Sequence, residues 1–203
     1  MKMNRKMREA ALTAMITLAL SGSALAMPSG GNVVQGNVSV NGAAASAIAD
    51  VASGATIAAN GNSIIDWQAF GIKAGEALNF DTAKGALLNR VVGNNISEIL
   101  GTLTQRGDNP LLLVNPNGIL VGGGATIDAS QLVLSTLALS NDDFLKFADG
   151  GVANFATDSK KGAGSIMVEK DAKFNIDDVL LMAGGTVNVA DGVQFSVGND
   201  NDG

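Results

Sequence analysis

Gly164–Ile176 reads GSIMVEKDAKFNI, and Gly185–Val197 reads GTVNVADGVQFSV. The two segments align without a gap at an offset of 21 residues. Apolar side chains coincide at Ile166/Val187, Val168/Val189, Ala172/Val193, Phe174/Phe195 and Ile176/Val197, and small or polar residues alternate between them. Alternation at period two marks a strand with one buried face. Recurrence in register at 21 marks coils that stack, because one coil cannot bury its apolar face alone and the next must complete the core. A β-sandwich also alternates, with turn signals about every 8–12 residues, but gives side chains no reason to recur at this offset. A shorter echo, GATI, occurs at Gly54–Ile57 and Gly124–Ile127.

The rest of the chain agrees with an all-β fold. Gly numbers 26 and aromatic residues make up only 4%, which suits a narrow interior filled by aliphatic ladders. Val38–Val40 runs into Asn41-Gly42, and Leu111–Val114 runs into Asn115-Pro116-Asn117-Gly118. Short apolar runs ended by turn residues are strands. Single helical turns are expected at Val51–Gly54 and Ser97–Leu100. Another is expected over Asp142–Ala148, with Ser140 or Asn141 as its N-cap. The expected architecture is a parallel β-solenoid.

The N-terminus carries a different signal. Lys2, Arg5, Lys6 and Arg8 precede an apolar run, Ala10–Leu20, and a small-residue segment ending Ala24-Leu25-Ala26. Basic start, apolar middle and A-x-A end make a secretory signal peptide, with cleavage expected after Ala26. The run falls short of the roughly 20 apolar residues a membrane anchor needs. Removing residues 1–26 leaves 9 of the 13 basic and 18 of the 19 acidic residues, a formal charge of −9. Such a chain lacks the clustered Lys and Arg that nucleic acid or anionic membrane requires. The remaining 177 residues, 27–203, fit one domain. With no Cys, the fold uses no disulfide staples, which also suits a chain that must stay unfolded during transport, since a premature crosslink would block threading.

The densest motif is Asn115-Pro116-Asn117-Gly118-Ile119, set between the strands Leu111–Val114 and Ile119–Val121. Pro116 fixes φ at the first corner of a turn, and Asn117 and Gly118 tolerate the left-handed conformations that finish it. Upstream lie Asp66-Trp67-Gln68-Ala69-Phe70, Leu88-Asn89-Arg90 and Ile99-Leu100-Gly101-x-Leu103; downstream lies Asn141-Asp142-Asp143-Phe144. Trp67 and Phe70 are expected in core or cap packing. Arg90 is expected to bond carboxylate or carbonyl groups across a coil.

In this order and spacing the motifs closely resemble the secretion domain of two-partner-secretion exoproteins, the filamentous haemagglutinin N-terminal domain family. The resemblance covers about residues 33–155 and continues more loosely to about 197. It implies a right-handed parallel β-helix with short extra-helical β-hairpins and an N-terminal cap. It also implies a secretion domain of a large adhesin- or haemagglutinin-like protein, secreted or surface-displayed by way of a periplasm. The implied partners are the general secretory machinery and an outer-membrane β-barrel transporter with POTRA domains. A host cell surface is implied through a region beyond this stretch. The domain would be an address and a folding nucleus, without cofactor and not an enzyme. Asn115–Ile119 carries the family's secretion motif, whose role is transporter contact, nucleation of the fold, or both. Asp66, Trp67, Phe70, Leu88, Asn89, Arg90, Asp142, Asp143 and Phe144 are its supporting residues.

Three other readings compete. A β-helix can cleave polysaccharide with paired carboxylates, and Asp142-Asp143 and Asp177-Asp178 are pairs. Adjacent residues on a strand face opposite ways, and the chain has no His or Cys for acid–base or nucleophilic work. Calcium binding by Asp200-Asn201-Asp202-Gly203 would need ligands that this tail lacks. A passive surface-layer solenoid would need no transporter.

Overall fold

The computed structural model describes residues 27–197. The expected signal segment, with Ala24 and Ala26, and the acidic tail at 200–203 lie outside the described residues.

The chain first builds an antiparallel cap from β1 (Ser29–Gln35), β2 (Val38–Val40), β3 (Ala43–Ala45) and β4 (Ala47–Asp50). It then winds. The first coil is β5 (Thr56–Ala59), β6 (Ser63–Trp67) and β7 (Gly71–Ile72). The second is β8 (Ala77–Asp81), β9 (Leu87–Val91) and β10 (Ser97–Ile99). The third is β11 (Thr102–Arg106), β12 (Leu111–Val114) and β13 (Ile119–Val121). The fourth begins with the long β14 (Thr126–Ser135) and leaves the solenoid through β15 (Ala138–Leu139), α1 (Asn141–Ala148) and β16 (Phe155–Ala156). It returns at β17 (Ile166–Val168). The fifth is β18 (Lys173–Met182) and β19 (Val187–Val189), and β20 (Gln194–Ser196) opens a sixth. The result is a β-solenoid of three parallel faces. The cap strands β1 and β2 pair antiparallel with β6 and β5 and cover the first coil's edges. Uncovered sheet edges invite foreign strands, and the cap removes two of them.

Coil-to-coil register makes the core. Leu78, Leu103, Ile127, Phe174 and Phe195 lie on one another along the first face. Ile72, Ile99, Val121, Val168 and Val189 do so along the third. The repeat read from sequence is this register: Ile166 pairs with Val187, Val168 with Val189 and Phe174 with Phe195. The GATI echo is not. Thr126 sits on Thr102 and Ala77, whereas Thr56 sits on Asn79, two residues out of step. Aromatics also enter the interior. Phe70 stacks on Phe80 with centroids 6.4 Å apart, and Phe174 stacks on Phe195 at 4.9 Å.

The second face is covered on both sides. Its inward residues Leu87, Leu111 and Leu132 join the main core. Its outward residues Ile64, Leu88, Leu112 and Val133 form a separate buried cluster under Phe144 of α1. Double coverage explains the unbroken run Leu111–Val114, all four residues of which are buried.

Two expected helical turns are absent. Ser97–Ile99 is a strand, because it fills the rung between Gly71–Ile72 and Ile119–Val121, and that pairing overrides its weak local helix signal. Val51–Gly54 forms most of one tight β-turn over residues 52–55, in which Ala55 N donates to Ala52 O (3.1 Å), with no helix. The third is present: α1 starts at Asn141 with Ser140 as N-cap.

Candidate functional site

Asn115–Ile119 turns the chain from the second face to the third. Asn115 is fully buried at the corner. Its Oδ1 accepts from Asn117 N (3.0 Å), and Gly118 N donates to Asn115 O (3.1 Å), closing an Asx turn inside a β-turn. Asn117 does not adopt a left-handed backbone, contrary to the sequence expectation; among non-glycine described residues positive φ occurs at Asn41 and Asp171. Gly118 alone finishes the turn in that way, at φ 136°. A Cβ there would also lie 3.2 Å from Ile96 Cγ2 and 3.3 Å from Ser165 O.

The two asparagine side chains also bind the coil before. Asn115 Nδ2 donates to Asn95 O (3.0 Å) and Ser97 Oγ (2.9 Å) in the coil before. Asn117 Nδ2 donates to Gly93 O (3.0 Å), Asn95 O (3.2 Å) and Asn115 Oδ1 (2.8 Å). Backbone bonds complete the attachment: Ser97 N donates to Gly118 O on that side, while Asn115 N donates to Ser135 O and Ile119 N to Ser165 O on the other. Pro116 lies under Gly164 so closely that a Cβ at 164 would collide with the Pro116 carbonyl. The turn is therefore a bracket clamping three successive coils. Residues 93–95 and Ser135, which supply part of it, are not marked by any local motif, and Gly164-Ser165 shows in the sequence only as the start of the 21-residue repeat.

The supporting residues fall into two groups. Trp67 and Phe70 are buried in the core near the cap, edge to face with centroids 6.2 Å apart. Trp67 Nε1 donates to Oδ1 of buried Asn89 (3.0 Å), which satisfies an indole that would otherwise be stranded among aliphatics. Leu88 points the other way, into the cluster beneath α1.

Arg90 links the groups. Its Nε and Nη2 meet the two carboxylate oxygens of Asp66 at 2.7 and 3.1 Å, a bidentate pair across adjacent coils. Its Nη1 donates to Leu139 O (3.2 Å) and Asn141 Oδ1 (2.9 Å), so one guanidinium holds the entry of α1 against the solenoid. Asp143 N donates to Ser140 Oγ (3.1 Å), and that hydroxyl donates to Asp143 Oδ2 (2.7 Å). This hydrogen bond, helped by Lys146, holds the Asp143 carboxyl below its ordinary range. Phe144 is fully buried.

Asp142 and Asp143 are thus a helix start rather than a converging pair, and Asp177 and Asp178 are exposed at the bend of β18. Among the described residues no group of three or more Asp, Glu, His or Cys is placed to hold a metal ion. No buried side-chain nitrogen or oxygen among them lacks a hydrogen-bond partner.

Comparison with known proteins places this geometry among secretion domains. A family model described as the TPS secretion domain matches residues 24–201. Two curated heme/hemopexin-binding proteins of Haemophilus influenzae, one from strain KW20 Rd, are 36% and 38% identical over 74 residues. Those residues are 36% of this chain and 8% of each relative. The crystal structure of the HMW1 secretion domain from Haemophilus influenzae superposes with a TM-score of 0.65 at 25% identity, covering 83% of this chain and 44% of that one.

Proposed function

The chain belongs to the TPS secretion domain family, the domains of two-partner secretion, and on that premise we propose that it is the N-terminal secretion domain of an exported adhesin- or haemagglutinin-like protein. In this reading residues 1–26 address it to the general secretory machinery. Residues 27–203 then engage an outer-membrane β-barrel transporter through its POTRA domains and nucleate the β-helix at the cell surface. The domain works as an address and a fold, without cofactor or chemical step.

The observation that supports this best is the Asn115–Ile119 bracket. It ties one short turn to the coil before through the Asn115 and Asn117 side chains and to the coil after through backbone bonds, so its closure converts loose strands into a cooperative unit. Folding outside the membrane would draw the chain outward, because a clamped coil cannot slip back.

The test is secretion of the whole chain in a host with and without the cognate barrel, scored by protein outside the cell. Export should require the barrel. Equal export in both hosts would overturn the two-partner reading.

A further inference from the structure

The excursion that leaves the solenoid after β14 returns past the bracket. At residues 158–162 it makes a tight turn: Asp158 Oδ1 accepts from Lys160 N (2.8 Å) and Lys161 N (3.2 Å), and Gly162 N donates to Asp158 O (3.0 Å). That turn aims Lys161 inward. Its Nζ donates to Val92 O (2.8 Å) and to Gly93 O. Gly93 O is also the acceptor of Asn117 Nδ2. One backbone carbonyl, in the coil before the motif, is therefore capped from both sides. One donor belongs to the motif and the other lies 68 residues from Gly93. A small open pocket of about 130 Å³, lined by Arg90, Val92, Pro116, Asp158 and Lys161, lies beside this contact.

We propose that Lys161 is a positioning residue of the secretion motif: by sharing the Gly93 carbonyl with Asn117, it locks the Asn115–Ile119 bracket only once the excursion has folded back. The inference rests on the reading of that bracket as the functional motif and adds a condition to it. The bracket's outer contacts, Gly164 and Ser165, lie three and four residues after Lys161, so the lysine and the next coil arrive together. A charged donor holds a carbonyl more strongly than a neutral one. With Lys161 absent, the 92–97 segment keeps the Asn115 and Asn117 bonds but loses its outer clamp.

The experiment reads the amide of Ser97, which donates to Gly118 O and so reports whether the 92–97 segment is docked on the turn. Hydrogen exchange is followed by NMR on the purified whole chain. The variants are Lys161→Met, Asn117→Ala, their double mutant, Lys161→Arg and the neighbouring Lys160→Met. Lys161→Met should speed exchange at Ser97 about tenfold, the size expected for one charge-assisted bond, while amides of α1 stay protected. Lys161→Arg should restore protection, and Lys160→Met should leave it intact. The double mutant should fall short of the product of the two single effects, because both donors act on one carbonyl. Additive effects, or unchanged exchange at Ser97 in Lys161→Met, would overturn the proposal. Loss of α1 protection in step with Ser97 would also overturn it, since that marks general loosening. Secretion of Asn117→Ala, scored separately, tests the motif reading itself.

Discussion

Replacing Asn115 by alanine removes the centre of the bracket. The side chain makes four hydrogen bonds, to Asn95 O, Ser97 Oγ, Asn117 N and Asn117 Nδ2, and it is fully buried. A net bond contributes about 1 kcal/mol, and a buried group left unpaired costs about 1–3. The Asn117 amide is half exposed and recovers water, so the four losses do not simply add. The expected destabilisation is about 3 kcal/mol, which for a chain of this size lowers Tm by about 6–12 °C. Asn115→Asp sharpens the test. It keeps the acceptor for Asn117 but turns the donor into a carboxylate oxygen facing the Asn95 carbonyl. Burial and that neighbour raise the carboxyl's folded pKa, so the folded state binds the proton more tightly. Stability of the aspartate variant should therefore fall as pH rises through the raised pKa and recover towards acid pH. Thermal melts from pH 4 to pH 8 measure both effects. A loss below about 1 kcal/mol for alanine, or an aspartate variant as stable as the parent at pH 8, would refute the bracket as a stabilising clamp.

Three further outcomes are expected. Arg90→Lys loses the bidentate pair with Asp66 and at least one of the bonds to Leu139 and Asn141. It should cost about 1–2 kcal/mol and expose the 137–150 segment to limited proteolysis. Leu88→Ala opens a cavity under Phe144; the expected loss is about 3 kcal/mol by denaturant melts, and an effect under about 1 would contradict the double-sided packing of the second face. Asp143 has a depressed carboxyl pKa, so its support for α1 is present above the unfolded value near 3.8 and fades as pH falls through the folded one. Amide protection factors in α1, corrected for the pH dependence of intrinsic exchange, should therefore fall on acidification below about pH 4. Asp143→Asn should remove that step.

The sequence disclosed the solenoid where its coils are plainest. From Ile166 to Val187 the chain makes one turn with no decoration, so equivalent residues recur at 21 and the alternation is visible. Elsewhere the loops between faces vary: Ile72 reaches Ile99, and Ile119 reaches Ile166, before the register closes. No fixed period survives there, and GATI, the echo that does, is out of step. Ser97–Leu100 looked helical because its serine and glutamate suit a helix start, while the rungs above and below it lie more than twenty residues away. The motif's turn was legible from Asn, Pro and Gly. Its clamping of three coils was not, because Asn117 meets Gly93 and Pro116 meets Gly164 only after winding. Lys161 carried no sequence signal, since its partner carbonyls belong to the backbone.

The excursion can also be weighed as chain length. The step from Ile119 to Ile166 spans 47 residues, against 21 from Ile166 to Val187. Loop-closure entropy grows only with the logarithm of length, so the longer step costs about 0.7 kcal/mol more than the shorter. A single one of the bonds that tie the detour down, such as Arg90 to Asn141, is enough to offset that. Closing a longer detour at this corner is thus cheap; ordering it costs about 1–2 kcal/mol per residue, which the segment's own packing must offset. Helix α1 and the antiparallel pair β15–β16 occupy it here; a different module at this corner would also have to cover Ile64, Leu88, Leu112 and Val133.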